Sequence, residues 1–500
     1  MPIPVADIFA GPGGLGEGFS AFQSARGTAA FRIAVSAEKE AHAAKTLRLR
    51  AFFRQFPPDE VPASYYEYVA GHRQQPWTDK TEKQWKRACD EARPLELGNP
   101  RDDELLDERI LAATRGSSPW VLIGGPPCQA YSLVGRARNK GIPGYAPETD
   151  DRHFLYRHYL RIITEFRPTA FVMENVKGIL SSKVGGARIF PRIMEDLMAP
   201  GGRRGPKYRI VPIIAEDNET SGVSRYLVKA EQLGIPQARH RVILLGISEE
   251  IDSVSGKRLI PQPDRWTVRD TIGGMPALRS GLTSWSVSSW ESEARRILKQ
   301  AGNLAKTVDE EVRRYLVELS GRSSLRSDPG MGERWTNRTS RKDRVPSHLV
   351  KWLIDPRIQG YANHTVRSHM HADLMRYAYA AAYGNVHGRS PKGEGDFPVA
   401  LHPNHASWGS GKFMDRFKVQ IFDRPSSTVT SHLQKDGHYF IHPDPSQLRS
   451  LSVREAARLQ TFPDNYFFEG PMGAQFRQVG NAVPPWLAIQ IAGVVHSFLS

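Results

Sequence analysis

The sequence predicts an α/β fold of the Rossmann-like, nucleotide-binding type, because glycine, proline or polar residues follow short apolar runs at three places. The first run, Ile3 to Phe9, leads into a glycine-rich loop and then a helical stretch. The second, Trp120 to Ile123, ends in Gly-Gly-Pro-Pro at 124–127, and the third, Ala170 to Met173, ends in polar residues. Parallel strands end at one edge of a sheet, where α/β proteins place their functional residues.

The chain is long enough for two or three domains and is strongly basic. Its 500 residues are 40% hydrophobic, which allows a substantial core. The formal net charge of +15 predicts a polyanionic partner, with nucleic acid as the first candidate. The only cysteines, Cys89 and Cys128, exclude a disulfide framework and a four-cysteine metal site. We expect a cytoplasmic protein, because no segment approaches the roughly 20 apolar residues of a membrane span.

The glycine loop after the first strand predicts a nucleotide-like ligand. Gly11-Pro12-Gly13-Gly14-Leu15-Gly16 lets the backbone approach a ligand closely, and the following helix presents free amide groups. A second strand, Phe31 to Ala37, ends at Glu38, whose carboxylate can accept hydrogen bonds from both hydroxyls of an adenosine ribose. NAD and S-adenosylmethionine both fit these features. A third strand over Leu95 to Asn99 would leave Asn99 or Asp102 near an adenine, and the residues do not choose between them.

The loop from Gly124 to Ser132 has Cys128 at its centre. Its prolines fix the backbone and its glycines permit close approach, so we expect the thiol at the sheet edge. The alternative is a small buried hydrophobe, which is how free cysteine usually behaves and how we interpret Cys89. The basic stretch Leu133 to Asp151 is either a loop that closes over a substrate or an ordinary solvated loop.

Two further groups are expected at the same sheet edge. Glu174 and Asn175 follow the third apolar run, and a carboxyl group beside a thiol loop is a candidate general acid. Arg239 and Arg241 lead into a strand, Val242 to Ile247, and their alternation sends both side chains to one face. Paired arginines can hold a phosphate or a base carbonyl.

These motifs, in this order, resemble those of the cytosine-5 DNA methyltransferase family. The resemblance rests on the glycine loop, Pro-Pro-Cys-Gln at 126–129, Glu-Asn-Val at 174–176 and Gln-x-Arg-x-Arg at 237–241. Two later motifs complete it, LSVREAARLQ at 451–460 and QVGNAVPP at 478–485. The sequence departs from the family pattern in a longer insertion around residues 54–97 and in lacking a clear acid for the adenine.

The resemblance implies an S-adenosylmethionine-dependent methyltransferase domain of Rossmann-like fold with an inserted target-recognition domain. Residues 1–250 and 425–500 would form the catalytic domain, and residues 251–424 the recognition domain. S-adenosylmethionine is the implied cofactor, S-adenosylhomocysteine its product and double-stranded DNA the substrate. The implied catalytic residues are Cys128, Glu174, Asn175, Arg239 and Arg241. The implied cofactor-binding residues are Phe9, Gly11, Gly13, Gly14, Leu15, Glu38, Pro126, Asn481 and Val483.

Chemistry at carbon 5 of cytosine explains these residue types. Carbon 5 is a poor nucleophile, so a thiolate must first add to carbon 6, and Cys128 has the expected position. Glu174, as a carboxylic acid that keeps its proton, would protonate ring nitrogen 3. Arg239 and Arg241 would hold the base and its phosphate, and Asn175 would orient the ring. The target base lies within a stacked duplex and must swing out, which fits a basic loop after the nucleophile.

The interval from about 250 to 424 combines basic residues with tryptophans, which suits phosphate and base contacts or an ordinary basic surface. These residues are Arg322, Arg326, Arg334, Arg338, Arg341, Lys342 and Arg344, with Trp335 and Trp352. His364, His369 and His371 have no accompanying cysteine, so we expect no metal. Further on, Ser452 and Glu455 form a capping-box pattern, and Pro484-Pro485 opens an apolar helix.

Three alternatives remain. An RNA cytosine-5 methyltransferase would share nearly all these motifs, although the long basic insert favours duplex DNA. A DNA-binding module with an inactive catalytic fold is disfavoured by the intact Cys128, Glu174 and both arginines. A nicotinamide dehydrogenase explains only the glycine loop and Glu38. The family also implies a restriction or other defence system as partner, and DNA would hold the protein at the nucleoid.

Overall fold

The structure, a computed structural model, describes residues 1–114, 119–126, 155–184, 187–215, 222–251, 256–263, 265–282, 289–338, 347–404, 408 and 415–500. The strands are β1 (Ile3–Ile8), β2 (Phe31–Glu38), β3 (Ala92–Pro94), β4 (Val121–Gly124), β5 (Ala170–Val176), β6 (Lys183–Val184), β7 (Ala187–Arg188), β8 (Tyr208–Val211), β9 (Leu227–Lys229), β10 (Gln237–Ala238), β11 (His240–Ser248), β12 (Gly281–Leu282), β13 (Trp335–Asn337), β14 (Gly360–Ala362), β15 (Ser368–His369) and β16 (Ser426–Ser427). The helices are α1 (Gly14–Ala21), α2 (Ala41–Phe53), α3 (Ala63–Ala70), α4 (Glu82–Glu91), α5 (Pro100–Thr114), α6 (Leu155–Phe166), α7 (Phe190–Met198), α8 (Val268–Ile272), α9 (Trp290–Ala305), α10 (Glu310–Gly321), α11 (Ser347–Leu353), α12 (His371–His387), α13 (Gly393–Asp396), α14 (Val453–Leu459), α15 (Met472–Asn481) and α16 (Pro485–Leu499).

The main sheet confirms the predicted α/β, Rossmann-like class. In the described residues it has eight strands in the order β3-β2-β1-β4-β5-β11-β8, and β9 also pairs with β11. β1 to β5 are parallel, whereas β11 is antiparallel to β5 and β8. Because β1 lies between β2 and β4, the strand order reverses there, and a crevice opens at the carboxyl ends of these strands.

Helices cover both faces of this sheet, which is why its strands are apolar runs. On one face, α1 packs against α16 from the far end of the chain so closely that a Cβ on Gly18 would lie 2.3 Å from the Cβ of Ala488. On the other face, α5, α6 and α7 bury Leu106, Tyr159 and Leu197 against the sheet. The two ends of the chain therefore share one layered core.

The predicted position of the third strand is wrong. The strand is Ala92–Pro94, paired in parallel with β2 from Ser36 onwards, and not Leu95 to Asn99. The last backbone bond to β2 runs from Leu95 N to the Glu38 carbonyl at 3.1 Å, where β2 itself ends. The segment that follows is then available to line the sheet edge.

The strand expected to end at Met173 continues to Val176. Its antiparallel neighbour β11 pairs along the whole length, with Ile243 opposite Glu174 and Arg241 opposite Val176. Glu174 therefore lies within the paired part of the strand and not in a loop after it. Its backbone pairs with β11 alone, because the pairing of β4 with β5 ends at Met173.

The region between β11 and the final residues is largely helical. α9, α10 and α12 pack around a core that includes Ile297, Leu316 and Tyr377. Ile441 and Leu448 belong to the same core, although they lie beyond residue 424. The three-part division into 1–250, 251–424 and 425–500 stays a prediction. We call residues 425–500 the return segment.

The local features predicted for the return segment are confirmed. Ser452 Oγ accepts from Glu455 N at 3.1 Å, and Glu455 Oε2 accepts from Ser452 N at 2.7 Å, which completes the capping box. α16 begins at Pro485. We predicted that no segment could span a membrane, but the helical stretch Met472–Leu499 has the length and apolarity of a membrane span. Most of its apolar window is buried inside the protein, as in a core helix.

Candidate active site

A cavity of about 320 Å³ opens where β1, β2, β4 and β5 end. It brings together every predicted site residue except Gly13, Gly14 and Cys128, the last of which lies outside the described residues. The residues that line it are Phe9, Ala10, Gly11, Leu15, Ala37, Glu38, Lys39, Leu95, Glu96, Leu97, Gly125, Pro126, Leu155, Glu174, Asn175, Val176, Arg239, Arg241, Gly480, Asn481, Ala482 and Val483.

The glycine loop turns sharply at the end of β1. Phe9 and Gly11 both have positive φ, 53° and 57°, a conformation that glycine adopts without the steric cost that phenylalanine bears. The turn directs the N–H of Gly11 at Glu38 Oε2, 2.9 Å away. The loop thereby fastens the end of β1 to the end of β2 at the cavity wall.

Glu38 ends β2 with both carboxylate oxygens engaged. Oε2 accepts from Gly11 N, and Oε1 accepts from Glu40 N at 2.9 Å. Burial raises the pKa of Glu38, and these amide bonds oppose the rise only in part. Because each carboxylate oxygen can accept more than one hydrogen bond, the side chain keeps acceptor capacity for a ligand in the cavity.

Gly13 and Gly14 lie behind the cavity wall. A Cβ on Gly13 would lie 2.7 Å from the Leu47 side chain and 3.1 Å from Tyr466 Oη, and one on Gly14 would lie 2.1 Å from the Val483 carbonyl oxygen. Both glycines permit close packing of the loop against α2 and the return segment. Neither residue lines the cavity, and direct contact of these two residues with a cofactor stays a prediction.

The loop after β4 contacts the end of β5. Asn175 Nδ2 donates to the Pro126 carbonyl at 3.4 Å, and Asn175 Oδ1 accepts from the next backbone N–H at 2.8 Å. A Cβ on Gly125 would lie 3.1 Å from Glu174 Oε2, so the loop passes close to this carboxyl group. Cys128 follows Pro126 by two positions in the sequence.

Glu174 and Arg241 form an ion pair between β5 and β11. Arg241 Nε lies 2.8 Å from Glu174 Oε1, and both side chains are 12% exposed. Burial lowers the pKa of Arg241, and the Glu174 charge opposes that effect. A base that enters the cavity would meet a carboxyl group and a guanidinium side by side.

Arg239 is buried in the cavity wall. Its Nη1 donates to the Val429 carbonyl at 2.9 Å and to the Gly480 carbonyl at 3.3 Å. Burial, and after it the charge of Arg241, lower the pKa of Arg239 well below its usual value. Among the described residues its Nε has no hydrogen-bond partner. Arg239 therefore ties the return segment to the sheet and leaves one donor unsatisfied.

Two glutamines hold the part of the return segment that carries the cavity residues 481–483. Gln237 Oε1 accepts from Val429 N at 2.8 Å, and Gln237 Nε2 donates to Gln460 Oε1 at 3.1 Å. Gln460 Nε2 donates in turn to the Val479 carbonyl at 2.7 Å. Both glutamines lie in recognised motifs, but their sequence positions do not reveal that they bond to each other.

Because the third strand was predicted at Leu95 to Asn99, three residues that line the cavity were missed in the sequence, Leu95, Glu96 and Leu97. They follow β3 directly, and Asp102 Oδ2 fixes them by accepting from Glu96 N at 2.8 Å. Neither Asn99 nor Asp102, both of them described, lines the cavity. The alternation Leu-Glu-Leu after a proline is the signal that could have identified this segment.

The histidines weighed as metal ligands have protein partners. His364 Nδ1 lies 2.8 Å from Ser452 Oγ, and its Nε2 lies 3.1 Å from the Pro276 carbonyl. Burial lowers the pKa of His364 to about 4. His369 Nδ1 lies 2.8 Å from Ser280 Oγ. In the described part of the chain, no group of three or more His, Cys, Asp or Glu residues could hold a metal ion.

Comparison with known proteins decides the family. The family model of the C-5 cytosine-specific DNA methylases matches residues 106–497. The chain belongs to this family. The match includes the Cys128 loop, the Glu174–Arg241 pair and the return segment, and the protein is therefore a DNA cytosine-5 methyltransferase. The glycine loop and Glu38 precede the matched residues.

Two relatives of this methylase cover most of its chain. The type II methyltransferase M.Bpa9945I of Bacillus paralicheniformis is 32% identical and covers 99% of this chain and 99% of its own length. The type II methyltransferase M.AgeI of Thalassovita gelatinovora is 30% identical, over 79% of this chain and 88% of its own. A crystal structure of a prophage-encoded DNA modification methyltransferase of E. coli is similar in fold, with 21% identity, 99% coverage of each chain and a TM-score of 0.52.

Proposed function

We propose that this methylase takes its methyl group from S-adenosylmethionine held in the 320 Å³ cavity and releases S-adenosylhomocysteine. One observation carries the proposal: a single continuous cavity is lined at once by Glu38 of the nucleotide-type loop region and by the Glu174–Arg241 pair. A methyl donor beside Glu38 and a cytosine beside Glu174 would then share one space, as direct transfer between them requires.

The residues around Glu38 fit the donor. Glu38 would accept hydrogen bonds from the two ribose hydroxyls with the acceptor capacity that its amide partners leave open. Phe9 and Val483 would supply apolar walls, Asn481 a polar group beside them, and the segment 95–97 would face the adenine. When bound, S-adenosylmethionine supplies an electrophilic methyl group on a sulfonium.

The residues around Glu174 fit a cytosine that has left the duplex. Glu174 would give a proton to ring nitrogen 3, Arg241 would donate to the base carbonyl, and Asn175 would keep the loop after β4 against the ring. The base would replace part of the ion-pair contact that Glu174 and Arg241 now make with each other. Arg239, whose Nη1 is committed to two main-chain carbonyls, would position the return segment and not grip a phosphate.

Cys128 would be the nucleophile. Its thiolate forms a bond to carbon 6 while nitrogen 3 takes the proton of Glu174, and the ring becomes an enamine. Carbon 5 of this enamine is nucleophilic and would take the methyl group that a bound sulfonium supplies. The carbon 5 proton would then pass to water, cleavage of the bond between carbon 6 and the Cys128 sulfur would restore the aromatic ring and the thiolate, and nitrogen 3 would return its proton to Glu174.

Duplex DNA in a restriction-modification or other defence system is the proposed setting, with the protein in the cytoplasm at the nucleoid. The net charge of +15 supports binding to a polyanion. M.Bpa9945I and M.AgeI are both named type II methyltransferases, and these names support the setting.

A methyl-transfer assay tests donor and substrate together. The protein is incubated with donor labelled in the methyl group and, in parallel, with duplex DNA or tRNA. We expect label in DNA, at carbon 5 of cytosine. Label only in tRNA, or on adenine, would refute the DNA proposal.

A trapping assay tests the nucleophile. DNA with 5-fluorocytosine at the target has no carbon 5 proton to lose after methyl transfer, so the adduct should survive denaturing electrophoresis. Cys128→Ser should abolish the adduct, whereas the matched control Cys89→Ser should form it normally. An adduct of equal yield in Cys128→Ser would show that another residue attacks carbon 6.

A further inference from the structure

The insertion at residues 54–97 packs against the region of residues 251–424. Val61, Tyr65 and Val69, in and just before α3, are buried in one core with Ile358 and Ala362 of that region. Burial of apolar side chains from both partners favours the contact by excluding water from it. The insertion is therefore an internal bridge and not a solvated loop.

Tyrosine hydroxyls on α3 extend this bridge with polar bonds. Each of three tyrosines of α3 donates its hydroxyl to a residue more than 280 positions away in the chain. The pairs are Tyr65 with the Asn465 carbonyl (2.8 Å), Tyr66 with Asp355 Oδ2 (2.7 Å) and Tyr68 with Glu469 Oε1 (2.6 Å). Two of the acceptors are carboxylates, and hydrogen bonds to charged groups are the stronger kind.

Two arginines of the region 251–424 donate hydrogen bonds to the 54–97 insertion. Arg334 Nη2 donates to the Tyr68 carbonyl at 2.7 Å, and its guanidinium lies 4.4 Å from the centre of the Phe467 ring. Arg357 Nη1 donates to the Pro58 carbonyl at 3.1 Å. Main-chain carbonyls and aromatic faces are contacts that a planar guanidinium satisfies better than an ammonium group.

These contacts hold both ends of one hairpin. β13 and β14 pair antiparallel, with Trp335 opposite Ala362. Arg334 immediately precedes β13, and Asp355 and Arg357 shortly precede β14. The chain between the two strands contains α11, and its sequence carries the basic run at 341–344.

α11, which lies between the two strands in the sequence, contacts the return segment. Trp352 of α11 donates from Nε1 to the Thr461 carbonyl at 2.7 Å, and its ring centre lies 6.1 Å from that of Trp486. Trp486 follows the cavity residue Val483 by three positions. The strand pair β13–β14 is thus held by the insertion, and α11 by the return segment.

We propose that the 54–97 insertion is a brace that fixes the strand pair β13–β14 and α11, and that Tyr66, Arg334 and Arg357 are positioning residues for duplex DNA. The brace pre-orders these three elements, so DNA binding does not bear the entropic cost of ordering them. This inference rests on DNA as the substrate of the neighbouring site.

The rival role for Arg334 is direct contact with a phosphate, since its side chain is partly exposed. The two roles differ in salt dependence. Loss of one phosphate contact lowers the slope of log K against log salt concentration by about 0.9, because one fewer counterion is released. Loss of a positioning contact lowers affinity at every salt concentration and leaves the slope nearly unchanged.

The experiment uses the full chain with Tyr66→Phe, Arg334→Met and the matched control Arg314→Met, which removes an exposed arginine of α10 outside the brace. Tyr66→Phe removes one hydroxyl and keeps the ring, so folding is preserved. We expect the KM for duplex DNA to rise about tenfold, or 1.4 kcal/mol, in Tyr66→Phe and Arg334→Met. The value of kcat at saturating DNA and the donor affinity should stay within about twofold of the wild type. Arg314→Met should behave as the wild type.

Three results would overturn the brace. An unchanged KM for DNA in Tyr66→Phe is the first, and an equal loss of kcat or donor affinity, which marks a general structural defect, is the second. The third is a salt slope lowered by about 0.9 in Arg334→Met alone, which would make Arg334 a phosphate ligand. Adduct formation between the wild-type protein and 5-fluorocytosine DNA tests the proposed function. The brace is tested separately, by the difference in KM for DNA between each variant and the wild type.

Discussion

Arginine–carboxylate pairs occur in two regions of this methylase, and their surroundings differ. In the cavity, the Arg241–Glu174 pair borders open space, and both side chains keep 12% exposure. In the return segment, Arg449 pairs with Glu455 at 2.7 Å, and neither side chain is more than 1% exposed. A ligand in the cavity can therefore contact the Arg241–Glu174 pair, whereas the buried Arg449–Glu455 pair is not accessible to it.

The return-segment arginines have their donors satisfied inside the protein. Arg458 pairs with Asp464 at 2.7 Å, and Arg454 donates to the carbonyls of Ala362 and Pro463 at 2.8 and 3.0 Å. Buried polar groups stabilise a fold only when paired in this way. Arginine and glutamate therefore stabilise the fold in the return segment. In the cavity, where donor or acceptor capacity remains, the same residue types are suited to chemistry.

The largest expected effect is that of Glu174→Gln, which should lower activity in the cavity far more than it lowers the stability of the fold. A neutral amide cannot give a proton to ring nitrogen 3, so adduct formation with 5-fluorocytosine DNA should slow by about 10² to 10⁴-fold. Rapid-quench kinetics measure this rate. The loss of stability should be smaller than that of Glu455→Gln, and an unchanged rate would remove Glu174 from the proton transfer.

The converse substitution is Glu455→Gln in the closed region. It leaves the buried Arg449 charge uncompensated, so the free energy of unfolding should fall by about 3 to 5 kcal/mol. Guanidinium denaturation followed by circular dichroism measures this. The control is Glu318→Gln, which breaks the exposed pair with Arg322 and should change little. Equal effects of the two substitutions would contradict the comparison.

The Glu455 pair also predicts a direction of pH dependence. Burial alone would raise the pKa of Glu455, but Arg449 outweighs it and the net pKa is lowered from 4.5. The contribution to stability is therefore present above the unfolded value of 4.5 and is lost as the pH falls below it. The stability gap between wild type and Glu455→Gln should narrow on acidification, and a gap that widens would contradict the assignment.

Glu38→Ala tests the donor side of the cavity. Loss of a hydrogen bond to a charged group should weaken donor binding by about 1.5 to 3 kcal/mol. Isothermal titration calorimetry measures the affinity. The matched control is Glu40→Gln, a neighbouring acid outside the cavity lining whose amide can still cap α2 at Ala43 N. Unchanged affinity in Glu38→Ala would leave Glu38 as a structural tie between β1 and β2.

The smallest effect on methyl transfer is expected for Ser452→Ala, which removes a helix cap and a histidine partner in the closed region. Loss of the bond to Glu455 N should lower the free energy of unfolding by about 1 kcal/mol. Loss of the partner of the buried His364 Nδ1 should lower it by about 1 to 3 kcal/mol more, with methyl transfer unchanged at saturating substrates. Chemical denaturation and the methyl-transfer assay measure the two quantities. The control is Ser289→Ala, where the capping distance is a weak 3.4 Å, and a larger loss there would contradict the role of cap geometry.

The sequence by itself determines the features that depend on neighbouring residues. The capping box of Ser452 and Glu455, the turn at Gly11 and the position of Glu38 at the end of β2 all follow from patterns a few residues long. The α/β class follows in the same way, because each apolar run and the loop after it can be recognised locally.

Only the tertiary structure decides which distant residues meet. It puts Gly14 against Val483, lines the cavity with Leu95 to Leu97, and turns Arg334 towards Tyr68, 266 positions away. Such contacts depend on how helices and strands pack, and many arrangements are compatible with one local pattern. An arginine in a basic stretch therefore looks the same in sequence whether it binds a phosphate or holds two parts of the protein together.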